Sequence, residues 1–175
     1  MAEMREILRH YFNIGTTAAP KWVLLGDGIT SLTEEFNPES ETKQYIHQKN
    51  GTTSIKSYTP SISVEREYIN DELQTWINEK IKLLPTGSSA VSEYVRVNIA
   101  ETGNNGVYPA VKRKCSYQFD SFGGDSGSEL VSGMTLGGIG DGELGTFDVN
   151  AGAEKWTAET TSGSTSGTSG ATDGE

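Results

Sequence analysis

Alternating apolar and polar residues dominate this chain and predict short β-strands. Residues 61–68 show the pattern most clearly: Ile62, Val64 and Tyr68 share one face, and polar residues occupy most of the other. Arg66 is an exception, because it falls on the apolar face, and Arg113 likewise interrupts the alternation of residues 109–120. Further strands are predicted at residues 22–25, 29–36, 43–47, 52–58, 94–99, 109–120, 130–136 and 144–149, and loops at 39–42, 101–106, 122–127 and 137–142.

The hydrophobic period lengthens after residue 70 and predicts a single helix from Asp71 to Lys82. Asn70 or Asp71 can cap its start. The apolar stripe would consist of Leu73, Trp76, Ile77, Ile81 and Leu84. Few of the links between strands have room for a helix, so the strands should pair mostly antiparallel. The predicted fold class is mainly β: an antiparallel β-sandwich or partial barrel flanked by one α-helix.

Three segments of different composition divide the chain. Residues 1–19 hold only a short amphipathic stretch, and we expect an N-terminal arm that packs elsewhere. Residues 20–156 carry the alternating pattern and are predicted to form the folded domain. Residues 157–175 contain no apolar side chain larger than alanine, so we expect a flexible Gly/Ser/Thr-rich tail.

The chain is acidic, with a formal net charge of −10 at pH 7. This charge opposes tight, nonspecific binding to phosphate groups. Cys115 is the only cysteine, which excludes an intramolecular disulfide, and its place on an apolar strand face indicates burial. No apolar run approaches membrane-spanning length and the first residues do not resemble a secretory signal. We therefore expect no membrane partner and synthesis in the cytoplasm.

Motifs that would support catalysis are incomplete. The segment GDSGS at residues 124–128 is similar to the nucleophile segment of trypsin-like proteases, but neither His10 nor His47 lies in a matching context for a general base. Glycines at positions 140, 142 and 145 fit GxGxxG, but a strand pattern follows them where a dinucleotide site requires a helix. We expect no enzyme activity and predict no catalytic residue and no cofactor.

Metal binding has similarly weak support in the sequence. A glycine-rich turn at residues 137–141 lacks the tandem copies of a calcium-binding repeat. Asp120, Asp125 and Glu129 supply oxygen ligands of the kind that calcium takes, and they leave a weak cation site open. We predict no metal site.

A characteristic order of short features runs from Trp22 to Trp76. Trp22 precedes a glycine turn; then come Leu32-x-x-x-Phe36-Asn37-Pro38-Glu39, Tyr45-Ile46, Ser57-Tyr58-x-Pro60-Ser61, and Asp71 at the start of a helix. Glycine-rich strands with Thr146-Phe147-Asp148 follow. In this order the features resemble the major tail (tail tube) proteins of long-tailed bacteriophages with non-contractile tails, over roughly residues 13–156.

The resemblance implies a structural virion protein of the phage tail without catalytic residues. Its copies would assemble into hexameric rings that stack into a tail tube, and DNA would pass through the lumen without specific binding. The implied partners are further copies of the chain and other tail proteins, namely a tape measure protein, a tail terminator and a distal tail protein. Assembly would take place in the cytoplasm of the bacterial host.

The polar segment of residues 37–58 is longer than a simple hairpin needs, so it can reach a neighbouring ring. The candidate interface residues are Asn37, Pro38, Glu39, Glu41, Tyr45, Asn50, Tyr58 and Trp156. Trp156 is either the last anchor of the fold or an interface residue. The alternative function is a β-sandwich module that binds carbohydrate or a receptor, with Tyr58, Tyr94 or Trp156 on a flat exposed platform.

Overall fold

A curled antiparallel sheet with one α-helix forms the architecture in the computed structural model, which describes residues 4–160. The strands are β1 (Leu8–Asn13), β2 (Trp22–Leu24), β3 (Ile29–Glu35), β4 (Pro38–Lys43), β5 (Thr52–Tyr58), β6 (Ser61–Glu67), β7 (Val91–Asn98), β8 (Val107–Gly123), β9 (Val131–Asp148) and β10 (Lys155–Ala158). The helix α1 spans Glu72–Leu83, and short 3₁₀ turns occupy Arg5–Ile7 and Gly87–Ala90. The predicted fold class is confirmed.

The main sheet has the strand order β2-β1-β7-β8-β9-β6-β3, and β10 also pairs with β9. The long strands β8 and β9 pair with each other over most of their length. On its other side, the first part of β9 pairs with β6 and the last part with β10. Strands β4 and β5 pair only with each other. The long β8–β9 ladder is therefore the element around which the sheet curls into a half barrel.

The glycine-rich residues 137–142, predicted to be a connection between two strands, lie inside the continuous strand β9. Gly137, Gly138 and Ile139 stay paired with β8. The register then shifts opposite Arg113, where Gly140 takes a φ of 67° that favours glycine. This irregularity explains why Arg113 interrupts the alternating pattern: the strand bends there without ending.

Each face of the sheet carries its own hydrophobic core. The helix-side core contains Phe12, Leu25, Ile62, Val64, Leu73, Ile77, Tyr94, Cys115, Tyr117, Met134 and Leu136. The opposite core contains Tyr11, Trp22, Val95, Val97, Ala110 and Phe147. Neighbouring residues of one strand, such as Tyr94 and Val95, enter different cores because successive side chains point to opposite faces.

The predicted helix is confirmed, and its packing explains the polar residue on the apolar face of β6. The Asp71 carboxylate caps α1 by accepting a hydrogen bond of 2.8 Å from the Gln74 backbone N–H. Arg66 is 2% exposed; its guanidinium donates to Gln74 Oε1 at 2.8 Å and forms an ion pair with Asp71. A buried charge is tolerated only when it is paired and hydrogen-bonded, so Arg66 ties the start of the helix to the sheet.

Strand β1 lies within residues 1–19, the predicted N-terminal arm. It pairs with β2 on one side and β7 on the other. Its last four residues, from His10 to Asn13, are all buried, because the strand has a core on each face. A strand buried on both faces lacks the alternation from which strands are recognised in a sequence.

The prediction of a loop at residues 39–42 is wrong, because these residues form most of β4. The prediction of a strand at residues 43–47 is also wrong, since β4 ends at Lys43 and a loop follows. Both faces of β4 are in contact with solvent, so neither face requires apolar residues and the alternating pattern is absent.

Candidate assembly interface

Strands β4 and β5 form a two-stranded ribbon, residues 38–58, that extends the β3–β6 pair beyond the sheet. The β3–β6 ladder ends at the pair Glu35 and Ser61, and the ribbon begins at the pair Pro38 and Tyr58. Asn37 makes the bend between them with a φ of 43°, a conformation that asparagine tolerates better than most residues. Its side-chain Nδ2 donates to Ser61 Oγ at 3.1 Å and so fixes the bend.

Neither face of the ribbon is covered by the rest of the described chain. Every residue from 36 to 59 is exposed except Glu41 and Gln48, which are half-buried. The ion pairs of the ribbon are internal, with Glu41 lying 3.2 Å from Lys56 Nζ and 3.6 Å from Lys43 Nζ. An isolated two-stranded hairpin is marginally stable in water, so an uncovered ribbon of this length suits a surface that is completed by a partner.

The loop at the end of the ribbon, residues 44–51, presents apolar side chains to solvent. Ile46 is fully exposed and Tyr45 is 59% exposed. The Tyr45 ring stacks on His47 with a centroid distance of 6.1 Å, and Gln44 Nε2 donates to the backbone oxygens of Gln48 and Lys49 at 3.0 and 3.2 Å. The loop is therefore held in shape by its own hydrogen bonds.

Asn50 and Gly51 do not make the tight turn that their sequence favours. Neither residue has a positive φ, and a type I′ turn requires one at both central positions. Instead they close the longer loop before β5 begins at Thr52.

A buried carboxylate anchors the base of the ribbon. The side chain of Glu34, near the end of β3, is only 5% exposed. It accepts hydrogen bonds from Tyr94 Oη at 3.1 Å and Arg96 Nη1 at 2.9 Å, and His10 Nε2 lies 3.4 Å away. Tyr94 and Arg96 lie on β7 and His10 lies on β1, which are not neighbours of β3 in the sheet. The contact therefore crosses the curl of the sheet and fixes the edge strand from which the ribbon emerges.

The electrostatics of this anchor keep the Glu34 carboxylate ionised at neutral and mildly acidic pH. Burial alone would raise the pKa of Glu34, but the hydrogen bond from His10 and the charge of Arg96 outweigh burial and hold the pKa at about 2. Burial and the neighbouring Glu34 carboxylate raise the pKa of the Tyr94 hydroxyl. The Arg96 guanidinium also lies 5.5 Å from the centroid of the Phe36 ring, so the same cation contacts the residue just before the bend.

Sequence reasoning missed this anchor, although one signal was present. Glu34 and Leu32 are two residues apart on β3 and so share a face, and Leu32 packs against the helix-side core. A carboxylate on an apolar face requires a buried partner. The identity of that partner depends on how the sheet curls, and local patterns carry no information on the curl.

Three strands of the main sheet have an unpaired edge within residues 4–160. Strand β2 pairs only with β1, β3 only with β6, and β10 only with β9. An open strand edge exposes backbone N–H and C=O groups and is a template for pairing with another chain. The single-chain fold therefore leaves several strand edges that could pair with another chain.

Trp156, the remaining candidate, lies apart from the ribbon on β10. It pairs in register with Phe147 and packs on the opposite core, half-buried, with Lys112 Nζ 5.6 Å from its ring centroid. Seven of the eight candidate interface residues thus lie in or at the base of one uncovered ribbon, and Trp156 contacts the core.

The residues that the structure describes include few groups suited to catalysis or to metal binding. Cys115 is fully buried, and burial raises the pKa of its thiol to about 12. Within residues 4–160, no three His, Cys, Asp or Glu side chains group closely enough to hold a metal ion. No helix in the same range is long and apolar enough to cross a membrane.

No protein-family model matches this chain, and no curated protein sequence matches it. Among the solved structures that share its fold are two of gene transfer agent particles. A chain in the tail of an empty gene transfer agent (GTA) particle, determined with helical refinement and C6 symmetry, superimposes with a TM-score of 0.58 at 13% identity, covering 82% of this chain and 98% of that chain. A chain in the virion of a native GTA particle gives a TM-score of 0.56 at 12% identity with the same coverage of both chains. The fold is shared with chains of GTA particles.

Proposed function

We propose that this protein is a structural tail protein whose copies form hexameric rings that stack into a tail tube, the conduit for DNA delivery. The observation that carries the proposal is the ribbon of residues 38–58, which is exposed on both faces within its own chain. A surface of this kind is useful when a neighbouring molecule covers it.

Two further observations support assembly from identical copies. The open edges of β2, β3 and β10 provide lateral pairing sites. The shared fold extends over nearly the whole of a chain from a particle tail with C6 symmetry. In a closed ring each copy uses one edge to contact the copy ahead and another to contact the copy behind.

The acidic character of the chain fits a conduit for DNA. An anionic wall repels phosphates, so DNA would pass without binding. The ends of such a tube would meet the other tail proteins implied by the resemblance, namely the tape measure, terminator and distal tail proteins.

Negative-stain electron microscopy of the purified, concentrated protein tests the proposal. We expect rings with sixfold class averages and tubes built from them, and light scattering should show masses that grow with concentration. A protein that remains monomeric at every concentration, also with a tail-initiating partner present, would overturn the proposal.

The rival function, a carbohydrate- or receptor-binding module, loses its proposed platform. Tyr94 is fully buried in the helix-side core and Trp156 is half-buried, so only Tyr58 of the three named aromatic residues is freely exposed. Binding to a glycan array by a stable monomer would favour this rival.

A further inference from the structure

The ribbon leaves the main sheet at one end of the β3–β6 pair, and a different surface lies at the other end. Strand β3 begins at Ile29 and β6 finishes at Glu67, roughly 20 Å from the base of the ribbon at about 3.3 Å per residue. Three loops meet there, because Glu67 N donates to Gly28 O and Tyr68 N donates to Leu130 O, both at 2.8 Å. We call this surface, formed by residues 26–28, 67–71 and 122–131, the far end.

The far end exposes a group of large apolar side chains. Tyr68, Ile69, Phe122 and Leu130 are between 38% and 46% exposed. Ile69 lies against the Gly28 turn, where an added Cβ would come within 2.8 Å of Ile69 Cδ1. Apolar groups gathered on one surface and flanked by polar residues are typical of protein contact sites.

The far end is also uniformly acidic. Its loops contain no lysine or arginine. Four carboxylates there, Asp27, Glu67, Asp125 and Glu129, form no ion pair with any residue that the structure describes. The surface therefore lacks a cation to balance these charges within residues 4–160.

The end of the ribbon has the complementary character. Residues 43–49, which we call the ribbon tip, contain Lys43, His47 and Lys49 and no acidic residue. Lys43 also lies 3.6 Å from the neighbouring Glu41, whereas Lys49 forms no ion pair with any residue that the structure describes. The same segment carries the exposed Tyr45 and Ile46 side chains. Apolar residues with neighbouring cations thus occupy one end of the molecule, and apolar residues with neighbouring carboxylates occupy the other.

We propose that the ribbon tip of one copy docks on the far end of the next copy. Tyr45 and Ile46 would supply the buried apolar contact, and the lysines would face the carboxylates and set orientation more than affinity. The contact joins two different surfaces, so it repeats head to tail along one axis. This inference rests on the proposed function, because it names the residues through which successive rings meet.

Cysteine cross-linking tests the contact directly. In a Cys115→Ser background, untagged Ile46→Cys protein is mixed with Leu130→Cys protein that carries a mass tag, assembled and mildly oxidised. We expect a disulfide-linked heterodimer of intermediate mass that forms at least about tenfold faster than in the matched mixture of Ile46→Cys with Leu144→Cys. Leu144 is 63% exposed but lies outside the far end, so it controls for random collision.

Charge exchange provides a second readout. The critical concentration for tube formation should rise about tenfold in the double variant Lys43→Glu with Lys49→Glu, and equally in the double variant Asp125→Lys with Glu129→Lys. Combining all four substitutions in one chain should return the critical concentration most of the way to the wild-type value. Circular dichroism melts verify that each variant is folded.

The outcomes separate the two proposals. Tubes that form normally while Ile46→Cys cross-links no better to Leu130→Cys than to Leu144→Cys, and while the charge variants assemble like the wild type, would overturn the docking contact and leave the tube intact. Failure of the wild-type chain to assemble would overturn the tube and the docking contact together.

Discussion

Glu34 on β3 accepts a hydrogen bond of 2.9 Å from Arg96 on β7, although several strands separate β3 from β7 in the order of the sheet. The pair spans the interior of the curl, and Tyr94 and His10 reach the same carboxylate. Because Asn37 begins the bend only a few residues after Glu34, this one buried carboxylate holds in place the strand from which the ribbon leaves the body of the protein.

Acid should weaken the fold through Glu34. The folded-state pKa of about 2 lies below the ordinary value of 4.5, so its stabilisation is complete above about pH 4.5 and is lost as pH falls toward 2. The shift corresponds to about 3 kcal/mol. Urea unfolding between pH 7 and pH 2 should show this loss in the wild type. The Glu34→Gln variant should be less stable at pH 7, and its free energy of unfolding should depend less on pH by about the same amount. Parallel pH profiles for the two proteins would contradict the role of this carboxylate.

Removal of Asp71 should destabilise the protein more than an ordinary cap substitution. Asp71→Ala removes the cap of α1, worth about 1 kcal/mol, and deprives the buried Arg66 of its ion pair, for a total of about 3 kcal/mol. Asp71→Asn keeps a capping oxygen and should cost less. Glu72→Ala is the control, because its pair with Lys21 is exposed and should be worth no more than about 1 kcal/mol. Equal urea midpoints for Asp71→Ala and Glu72→Ala would disprove the anchoring role of Arg66.

Sequence patterns predict those strands and helices in which one face is buried and the other is exposed to solvent. Strand β6 and helix α1 are of this kind, and both were located to within about two residues, which is the usual precision of element boundaries. Patterns fail where both faces have the same environment. Strand β1 is buried on both faces and β4 is exposed to solvent on both, so neither strand shows alternating apolar and polar residues.

The candidate interface was predictable as a segment but not as a shape. The excess of polar residues between Asn37 and Tyr58 marks a chain excursion, and the structure places them on one ribbon. The anchor at Glu34 depends on contacts between residues distant in sequence, and the far end is assembled from three separate loops. Such surfaces arise from topology, which local periodicity does not encode.

The Cys115 thiol should react very slowly with thiol reagents while the protein is folded. Full burial and a thiol pKa of about 12 leave almost no accessible thiolate at pH 8. We expect a thiol reagent to label it only as fast as the protein unfolds, and promptly in urea. A Cys115→Ser, Ser116→Cys variant is the matched control, because Ser116 is the exposed neighbour on the same strand and its cysteine should react within minutes. Equal labelling rates would show that β8 opens readily.

Strand β10 should contribute measurably to stability, although it begins just before the predicted end of the folded domain. A chain ending at Glu154 lacks the β10–β9 ladder and Trp156, which packs on the opposite core. We expect it to be about 2 kcal/mol less stable than a chain ending at Thr160, since Trp156 is half-buried and large. Full-length Trp156→Ala should reproduce most of the difference in urea unfolding. If the two truncated chains unfold at the same urea concentration, β10 is dispensable for the fold.

Shortening the ribbon should separate folding from assembly. Replacing residues 41–54 by Asn-Gly joins the paired residues Ser40 and Ile55 through a favoured two-residue turn. The ribbon contributes no residue to either core, so the melting temperature should change by no more than about 3 °C, corresponding to less than about 1 kcal/mol. Tubes should disappear from electron micrographs, because the copy above is no longer reached.

A full-length variant with Tyr45→Ser and Ile46→Ser distinguishes the reach of the ribbon from the chemistry of its tip. It keeps both strands and their register, so it should fold normally and lose tubes while retaining single rings, since lateral strand edges are unchanged. Tubes of normal length from the shortened chain would disprove any stacking role of the ribbon. Tubes from the serine variant alone would mean that the backbone of the ribbon, and not its apolar tip, makes the contact between rings.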